Sequence, residues 1–411
     1  MYDILLFVGY AFLCIVAPFN EKVRLWLKAQ NDNMAGIGKS LRHNESPIVW
    51  MHCSSLGEFE QGRPLLEKFK KQHPEFKALI TFFSLSGYES CKNYSEAEYI
   101  CRLPYDTSFN AKKFVNIVNP SLVLWIRYDF WPGHLKELKK RNIPVYLISS
   151  SFRKNQIFFK PWGQFFRSAL SRFRYIFVQN AESKNLLESI GITNVSAAGD
   201  TRFDRVVEIA NKQAVYPIIK RFIEVRPVLI AGSSWPKDEV VLADVIDNFP
   251  GLKLIIAPHE IDDRHVSDIV RLFERRKAVK YTEADSADVS DCDTLILNTM
   301  GMLSSVYGYA DVAFIGCGFD DGIHNISEAA VYGIPVVFGP NYQKFEEAND
   351  LVALKGAVSI NNAEELTAIL ELWYSDPAIR TEVGDICRQY IKTRSGTTEK
   401  ILKIIGDLQS P

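Results

Sequence analysis

Short apolar segments alternate with amphipathic segments along most of this chain, and that alternation limits the folds it can adopt. Strands buried on both faces of a parallel sheet are nearly continuous runs of β-branched and aromatic residues, and the crossover helices between them are amphipathic. The pattern therefore predicts an α/β protein built from βαβ units. Five predicted strands lie in the first half of the chain, at Ile48–Cys53, Leu79–Phe83, Leu122–Ile126, Val145–Ser149 and Tyr175–Val178. Six more follow, at Val228–Ala231, Leu252–Ala257, Thr294–Leu297, Val312–Ile315, Val336–Phe338 and Ala357–Ile360.

The chain has 411 residues, which is too many for one ordinary core, so we expect two domains plus additional segments. We expect two Rossmann-like domains that face each other across a cleft, with the loops at their strand ends converging on one site. The predicted divisions are an N-terminal hydrophobic anchor helix with a basic flank (residues 1–30), a first domain (31–205), a linker (206–226), a second domain (227–385) and a C-terminal helix that packs back on the first domain (386–411).

The N-terminus carries an uncharged apolar run, Ile4–Phe19, followed by Lys22, Arg24 and Lys28. The run is shorter than the roughly 20 apolar residues that a bilayer-spanning helix needs. It could span a locally thinned bilayer, lie in the membrane interface, or form a buried core helix. No basic segment precedes it and no small-residue cleavage site follows, so we do not read it as a signal peptide. Because the basic residues follow the run, membrane association through residues 4–28 would leave the rest of the chain in the cytoplasm.

Charge and cysteine content exclude some classes of function. The formal net charge of −1 gives no general attraction to nucleic acid. The seven cysteines include no C-x-x-C pair and no metal-ligand spacing with histidine. Such a scattered set is typical of a reducing compartment and gives no reason to expect a metal.

The segment 312–345 is the most informative part of the second domain. A predicted strand is followed by a glycine-rich loop containing Gly322 and by a predicted helix that begins at His324 and Asn325. The N-terminus of a helix at a strand end favours an anion such as a phosphate. Glu328 lies one turn further and could accept hydrogen bonds from sugar hydroxyls. Asn325-x-x-Glu328 is also the pattern of a capping box, and capping and ligand contact can coexist.

In the first domain, the first predicted strand ends in a loop that contains Ser55, Gly57 and Glu58. We expect Gly57 to form a tight turn that leaves Glu58 at the end of the sheet. Partial burial would raise its pKa and make it a general base for a substrate hydroxyl. Glu58 could instead only complement the dipole of the next helix. Ser86 and Gly87 follow the second strand in the same way and form a second loop of the predicted cleft.

The third predicted strand runs into Arg127, Asp129 and Trp131. A charged pair beside aromatic residues at a strand end is a costly arrangement for a simple turn. Arg127 and Asp129 could pair with each other, or they could line a sugar site with Trp131 as its platform. Trp131 could equally be a core residue.

Two further loops follow strands of the second domain. Ser233 and Ser234 end the first of these strands and could cap a helix or, with open backbone N–H groups, bind a phosphate. His259 follows the next strand and could contact a phosphate or carboxylate, although an isolated histidine often has no such role.

Several motifs are absent. The first strand of neither domain is followed by G-x-G-x-x-G, and no P-loop, G-x-S-x-G or H-E-x-x-H sequence occurs. The remaining match is an enzyme that holds a nucleotide sugar with backbone and hydroxyl groups, without a cofactor or metal.

These motifs together resemble the 3-deoxy-D-manno-octulosonic acid (Kdo) transferases of lipopolysaccharide biosynthesis, and the resemblance covers nearly the whole chain in order. Ser54–Glu58 resembles the S-x-G-E loop of that family, whose glutamate is the proposed general base. Further matching segments are Leu103–Asp106, Val178–Ser183, Gly199–Asp204, Gly232–Ser234, Ala257–Pro258 and Gly322–Asn325 with Glu328.

The chain departs from the family pattern at four places. Arg127 and Asp129 stand where the family commonly has E-x-E, so only the second carboxylate is kept. Arg202 replaces a common lysine. Pro258 is followed by His259-Glu260 instead of Arg-His, and Ile323 replaces the second residue of a glycine pair.

The resemblance implies a GT-B fold and inverting transfer of Kdo from CMP-Kdo to a glucosamine hydroxyl of the lipid A precursor (lipid IVA), at the cytoplasmic face of the bacterial inner membrane. It implies catalytic roles for Glu58 and Asp129 and no metal or other cofactor. The implied donor-binding residues are Arg202, Ser233, Ser234, His259, Gly322, His324, Asn325 and Glu328. The loops expected to line the acceptor side of the cleft contain Ser55, Gly57, Ser86, Gly87 and Trp131.

Two alternatives remain open. The chain could be a GT-B transferase or an epimerase that uses a UDP-sugar. It could also be a catalytically silent, membrane-bound protein that binds a sugar nucleotide or a lipid. The arginine at 127 leaves the second alternative open, and the presence of Glu58 argues against it.

Overall fold

The computed structural model describes residues 2–285 and 288–409, which form two compact units. One unit contains the chain up to Arg205 together with the chain from Ser395 onward, and the other is Val206–Arg394. Residues 206–226, predicted as a linker, therefore belong to the second unit. The predicted boundary after residue 385 falls inside the helix Pro377–Arg394, because that helix continues to the end of the second unit.

The first unit is built on a seven-stranded parallel sheet with the order β3-β2-β1-β4-β5-β6-β7. The strand order reverses between β1 and β4, and ligands of parallel α/β sheets bind beyond the carboxyl ends of the strands at such a switch point. The strands are β1 (Ile48–Cys53), β2 (Lys77–Phe82), β3 (Tyr99–Arg102), β4 (Leu122–Ile126), β5 (Val145–Ser150), β6 (Tyr175–Val178) and β7 (Val195–Ala197).

The second unit repeats this plan with a parallel sheet of order β10-β11-β9-β8-β12-β13-β14. Its switch point lies between β8 and β12. The strands are β8 (Val228–Ser234), β9 (Lys253–Pro258), β10 (Ala278–Lys280), β11 (Thr294–Ile296), β12 (Val312–Ile315), β13 (Val336–Phe338) and β14 (Ala357–Ser359). The prediction of two parallel α/β domains is confirmed. The predicted cleft between them stays a prediction.

Helices connect the strands and cover both faces of each sheet. In the first unit they are α1 (Tyr2–Val16), α2 (Glu21–Ser40), α3 (Leu56–Gln72), α4 (Leu85–Cys91), α5 (Ser108–Val118), α6 (Pro132–Lys140), α7 (Gln164–Leu170), α8 (Ala181–Glu188) and the start of α9 (Thr201–Asn211). Those of the second unit are α10 (Pro217–Ile223), α11 (Pro236–Ile246), α12 (Asp263–Leu272), α13 (Leu303–Val306), α14 (Ser327–Ala330), α15 (Glu346–Ala353), α16 (Ala363–Ser375) and α17 (Pro377–Arg394). The last helix, α18 (Thr397–Gln409), belongs to the first unit.

The core of the first unit shows why its strands can be predicted from the sequence. All six residues of β1 are buried, and they alternate between two apolar clusters on opposite faces of the sheet. Trp50 belongs to one cluster and Met51 to the other. Ile401 and Ile405 of α18 complete the second cluster, so the end of the chain contributes to the core of the unit in which it began.

The N-terminal segment forms two helices instead of one anchor followed by a domain. The predicted boundary at residue 30 falls inside α2, which continues to Ser40. The rings of Tyr10 and Tyr105 lie 5.9 Å apart, so one side of α1 contacts the rest of the first unit. Across residues 2–285 and 288–409, no helix has both the length and the apolarity required to cross a bilayer.

Candidate active site

Glu58 stands in the first turn of α3, directly beyond the end of β1. Ser55 caps this helix, because its Oγ accepts the backbone N–H of Glu58 at 3.4 Å. Gly57 is helical, so the prediction of a tight turn at this glycine is wrong. No atom lies within 4 Å of the position that a Cβ of Gly57 would take. The missing side chain therefore leaves the start of α3 open.

A hydrogen-bonded serine links two carboxylates at the switch point of the first sheet. Glu58 Oε2 accepts the backbone N–H of Ser54 at 2.5 Å, and the hydroxyl of Ser54 donates to Asp129 Oδ2. Burial raises the pKa of Glu58 to about 7, with a further rise from the charge of Asp129, while the N–H of Ser54 and the charge of Arg127 oppose it. In the part of the chain that the structure describes, no hydrogen bond engages Glu58 Oε1. A carboxylate with these properties is suited to general-base catalysis.

Arg127 follows β4. The sequence allowed an ion pair between Arg127 and Asp129, but the structure shows none between these two residues. The guanidinium of Arg127 makes no hydrogen bond or ion pair with any described residue, and its Nε is buried. The Cζ atom lies 5.5 Å from the ring centroid of Tyr128. The backbone of Arg127 is left-handed, with φ 62°. Such conformations are strained in residues other than glycine and occur often at functional sites.

Trp131 is half-buried at the same strand ends and is held on two sides. Its indole N–H donates to Nε2 of His52 at 3.2 Å, and its ring centroid lies 4.6 Å from that of Phe83. Burial lowers the pKa of His52 to about 3, so this histidine is neutral. Its other nitrogen bonds the hydroxyl of Thr81 at 2.8 Å. Trp131 is therefore a fixed wall of the site, and its predicted role as a sugar platform stays a prediction.

The predicted second loop lies beside the first. Ser84 caps α4 by accepting the backbone N–H of Gly87 at 3.1 Å, and Ser86 is exposed in the first turn. A Cβ on Gly87 would lie 3.1 Å from the backbone nitrogen of Leu56, so this glycine allows the starts of α3 and α4 to approach closely.

Arg202, predicted as a donor-binding residue, belongs to the first unit and not to the unit that contains the other predicted donor residues. Its backbone N–H and its Nε bond Asp200 at 2.9 and 2.8 Å. The same carboxylate accepts the side-chain amides of Gln61 and Gln179, each at 2.7 Å. Arg202 thus belongs to a hydrogen-bonded cluster around the carboxylate of Asp200, near the end of the first unit.

At the switch point of the second sheet, Ser233 and Ser234 have different environments. Ser233 has a left-handed backbone, with φ 53°, and its hydroxyl bonds no described residue. The buried hydroxyl of Ser234 donates to Glu239 Oε1 at 2.8 Å, while Glu239 Oε2 lies 3.0 Å from Nε2 of His265. Burial disfavours the proton on His265, but Glu239 outweighs burial and raises the pKa of this histidine. Ser234 is therefore an internal link, and Ser233 is the hydroxyl that faces outward.

Three rings stack at these strand ends. His259 stacks on both Trp235 and His324, with centroid distances of 5.3 and 4.4 Å and interplanar angles of 21° in both pairs. The indole N–H of Trp235 donates to His324 Nε2 at 3.2 Å, which places the proton of the neutral imidazole on Nδ1. Burial lowers the pKa of His324 to about 4, with a further contribution from His259. Trp235 was not among the predicted site residues, although an aromatic residue at a strand end was a signal for it.

Asp238 holds the glycine-rich loop after β12, and the sequence did not reveal this role. Its Oδ2 accepts the backbone N–H groups of Trp235 at 2.9 Å and Cys317 at 2.6 Å. Burial raises its pKa to about 6, with these hydrogen bonds opposing the rise. A Cβ on Gly318 would lie 2.4 Å from the backbone of Gly339, so the loop can pack this closely only with glycine.

The helix predicted to begin at His324 and Asn325 is shorter and later than expected, because α14 spans only Ser327–Ala330. Asn325 Oδ1 accepts the backbone N–H of Ser327 at 3.2 Å, and its amide donates to Glu328 Oε1 at 3.0 Å. The predicted capping box is therefore only partly formed, and the short helix has little dipole. Gly322 has φ 131°, a conformation that favours glycine at this turn.

Each switch point thus gathers its own set of predicted residues. The first brings together Ser55, Gly57, Glu58, Ser86, Gly87, Asp129 and Trp131. The second brings together Ser233, His259, Gly322, His324, Asn325 and Glu328, with Ser234 behind them. Among the described residues, no group of three or more His, Cys, Asp or Glu side chains could hold a metal ion.

Solved structures of low sequence identity show the same fold. The UDP-GlcNAc 2-epimerase of Neisseria meningitidis aligns with a TM-score of 0.62 and 14% identity, over 88% of this chain and 100% of that chain. The corresponding enzyme of Methanocaldococcus jannaschii aligns with a TM-score of 0.59 and 13% identity, over 87% and 99%. At this identity the likeness concerns the fold alone.

Sequence relatives show which family this chain is similar to. Residues 29–205 match the family model described as 3-deoxy-D-manno-octulosonic-acid transferase (kdotransferase). The 3-deoxy-D-manno-octulosonic acid transferase of Chlamydia trachomatis serovar D is 26% identical, over 82% of this chain and 80% of the relative. That of Aquifex aeolicus is 25% identical, over 81% and 88%. The matched segment contains the carboxylates Glu58 and Asp129, and the chain is therefore similar to the Kdo transferases over most of its length.

Proposed function

We propose that this protein transfers Kdo from CMP-Kdo to a glucosamine hydroxyl of the lipid A precursor lipid IVA, with inversion at the anomeric carbon. The observation that carries the proposal is Glu58, which has a pKa of about 7 and an oxygen that bonds no described residue, at the switch point of the first sheet. The match of residues 29–205 to the family model and the names of the relatives, which are Kdo transferases, support the choice of sugar.

In the proposed reaction, Glu58 Oε1 accepts the proton of the acceptor hydroxyl as that oxygen attacks the anomeric carbon of Kdo. The new bond joins the acceptor oxygen to this carbon, and the bond from the carbon to the phosphate oxygen of CMP breaks on the opposite face. The electron pair of the broken bond leaves with CMP. Asp129 keeps Ser54 oriented through its hydroxyl, and the backbone N–H of Ser54 holds Glu58 through its other oxygen. The reaction is proposed to need no metal or other cofactor.

We assign the CMP moiety to the second switch point. Ser233 and the Nδ1–H of His324 are hydrogen-bond donors that bond no described residue, and both suit a phosphate. The exposed ring of His259 is available to the same group. Glu328 is proposed to accept hydrogen bonds from the ribose, in exchange for its bond with Asn325. Ser234 is not a direct ligand in this scheme, because its hydroxyl donates to Glu239.

Membrane association is proposed through α1 at the cytoplasmic face of the inner membrane, where the lipid acceptor would lie. Val8, Phe12 and Ile15 form an apolar stripe on one side of this helix, with exposed fractions of 60%, 64% and 68%. The opposite side contacts the first unit through Tyr10. A helix with one exposed apolar side fits an orientation parallel to the membrane surface.

The function is tested by acceptor-dependent release of CMP from CMP-Kdo, with wild-type protein and the Glu58→Gln variant. We expect release only with the lipid acceptor, and a fall in kcat of about 10²–10⁴-fold in the variant, because a general base is lost. Binding of CMP-Kdo, measured by calorimetry, should change little. Near-normal turnover by Glu58→Gln would contradict the assignment of Glu58 as the general base.

Competition between nucleotides separates the proposal from its main alternative. The fold is shared with enzymes that act on UDP-GlcNAc, so UDP is the relevant competitor. We expect CMP to displace CMP-Kdo at lower concentration than UDP does. Preferential displacement by UDP would favour a UDP-sugar enzyme, and binding of a nucleotide without any turnover would favour a silent binding protein.

A further inference from the structure

The guanidinium of Arg127 lies over the ring of Tyr128 but has no anionic partner among the described residues. Within the described residues its guanidinium has no hydrogen bond and no ion pair, although two carboxylates lie at the same switch point. Its buried Nε has lost contact with water without gaining a partner. An uncompensated polar group of this kind is costly, and so is its left-handed backbone. Both costs would be offset if an anionic ligand completed the site.

The position of Arg127 shows where such a ligand would sit. Arg127 follows β4, and Ser54 follows β1, which is the hydrogen-bonded neighbour of β4 in the sheet. The backbone N–H of Ser54 holds Glu58. The positive charge of Arg127 also opposes the rise of the Glu58 pKa, although less than the N–H of Ser54 does. An anion bound by Arg127 would therefore lie beside the proposed base.

The chemistry of the donor supplies an anion at this place. Kdo is a 2-keto acid sugar, so its carboxylate is bonded directly to the anomeric carbon that the acceptor hydroxyl attacks. If Glu58 takes the proton of that hydroxyl, the donor carboxylate must come close to the negative charges of Glu58 and Asp129. An unopposed third carboxylate would be repelled there, whereas a guanidinium can bind it with two parallel hydrogen bonds.

We propose that Arg127 binds the carboxylate of the Kdo donor and so fixes the reacting carbon beside Glu58. The inference rests on the proposed function and adds a donor-recognition residue in the first unit. It also gives a role to the position at which this chain departs from the E-x-E pattern of the family. The carboxylate, rather than the sugar hydroxyls, is the group that Arg127 selects.

The test compares two probes, 2-deoxy-Kdo and its C1 amide, as inhibitors of CMP release from CMP-Kdo. Wild-type protein should prefer the acid by about 10- to 100-fold, the range expected for a charge-assisted contact. Arg127→Gln should lose this preference, and Arg127→Lys should keep part of it, because lysine keeps the charge but not the paired donors. Arg42→Gln is the matched control, since Arg42 is an exposed arginine of the same unit at the opposite end of the sheet. It should keep the preference.

The outcomes separate the inference from the proposed function. A preference for the acid that persists in Arg127→Gln overturns the inference and leaves Kdo transfer intact. Wild-type protein that transfers Kdo without distinguishing the acid from the amide overturns it as well. Wild-type protein that releases no CMP from CMP-Kdo contradicts the proposed function, and the inference falls with it. Because the side chain of Arg127 makes no hydrogen bond among described residues, we expect its variants to fold, and their thermal unfolding checks this.

Discussion

At the scale of single residues, the chemistry of the first site depends on the different environments of Glu58 and Asp129. Burial raises the pKa of Glu58, and one of its oxygens bonds no described residue. Asp129 is held by the hydroxyl of Ser54 and by its place in the loop after β4, where its carbonyl accepts the indole N–H of Trp125 at 2.5 Å. Two neighbouring carboxylates in unlike environments are a common arrangement for acid–base chemistry.

The pH dependence of transfer follows from this arrangement. Only ionised Glu58 can accept a proton, so kcat/KM should rise with pH through about 7 and then level off. Removing the charge of Asp129 removes one cause of the raised pKa, so Asp129→Asn should move the midpoint to lower pH. The measurement is the pH profile of initial rates for both proteins. A midpoint that stays in place or moves upward would show that Asp129 does not act on the titrating group.

Single residues also show how far the sequence could be interpreted. Glu58 was predicted as a base because a glutamate in the loop after a buried strand is visible in the sequence, and its raised pKa agrees with the expected effect of burial, while its catalytic role stays a prediction. The helical conformation of Gly57 was missed because Ser55 caps α3 earlier than the glycine suggested. The contacts of Asp238 with Cys317 and of Trp235 with His324 were missed because the paired residues are distant in the sequence. No local pattern reports such contacts.

At the scale of secondary-structure elements, the loop after β12 is held mainly by Asp238. Asp238→Ala should leave the buried N–H groups of Trp235 and Cys317 without an acceptor, at a cost of about 2–4 kcal/mol in the free energy of unfolding. It should also weaken CMP binding, because the loop then loses its fixed position. Asp238→Asn keeps an acceptor oxygen, so its free energy of unfolding and its affinity for CMP should fall much less. Urea unfolding and calorimetry with CMP measure the two effects, and equal losses in both variants would contradict this role.

The segment from Asn325 to Glu328 has two possible roles, ligand binding and helix capping, and a substitution can separate them. We expect Glu328→Ala to weaken CMP binding about 10-fold, the loss of one hydrogen bond to a charged group. Unfolding stability should fall only slightly, because α14 has only four residues. Calorimetry with CMP and thermal unfolding give the two values. A loss of stability with unchanged affinity would support the capping interpretation instead.

The strands that the sequence revealed are, except for the edge strand β14, central strands of their sheets. All eleven predicted strands are present, with shifts of a few residues at their ends. The three strands that were missed, β3, β7 and β10, lie at sheet edges. Edge strands are short and pack on fewer neighbours, so they need no long apolar run. Val195-Ser196-Ala197 and Ala278-Val279-Lys280 illustrate this, since neither contains a continuous apolar segment.

At the scale of the whole molecule, the chain leaves the first unit within α9 and returns to it at Ser395. Asp204 secures the return, because its carboxylate accepts the backbone N–H groups of Gly396 at 2.5 Å and Thr398 at 2.6 Å. A Cβ on Gly199 would lie 2.4 Å from Thr397 Oγ1, so the approach of α18 requires glycine there. The Gly199–Asp204 segment therefore has a structural role that its resemblance to a family motif did not reveal.

The central claim is that this protein moves Kdo from CMP-Kdo to a lipid A precursor. The most direct measurement is the mass of the lipid after incubation of purified full-length protein with CMP-Kdo and lipid IVA, with CMP release followed in parallel. We predict that the lipid gains the mass of one or more Kdo residues, that one CMP is released for each residue added, and that Glu58→Gln slows both changes by about 10²–10⁴-fold. A lipid of unchanged mass in the presence of protein that binds CMP-Kdo would contradict the claim.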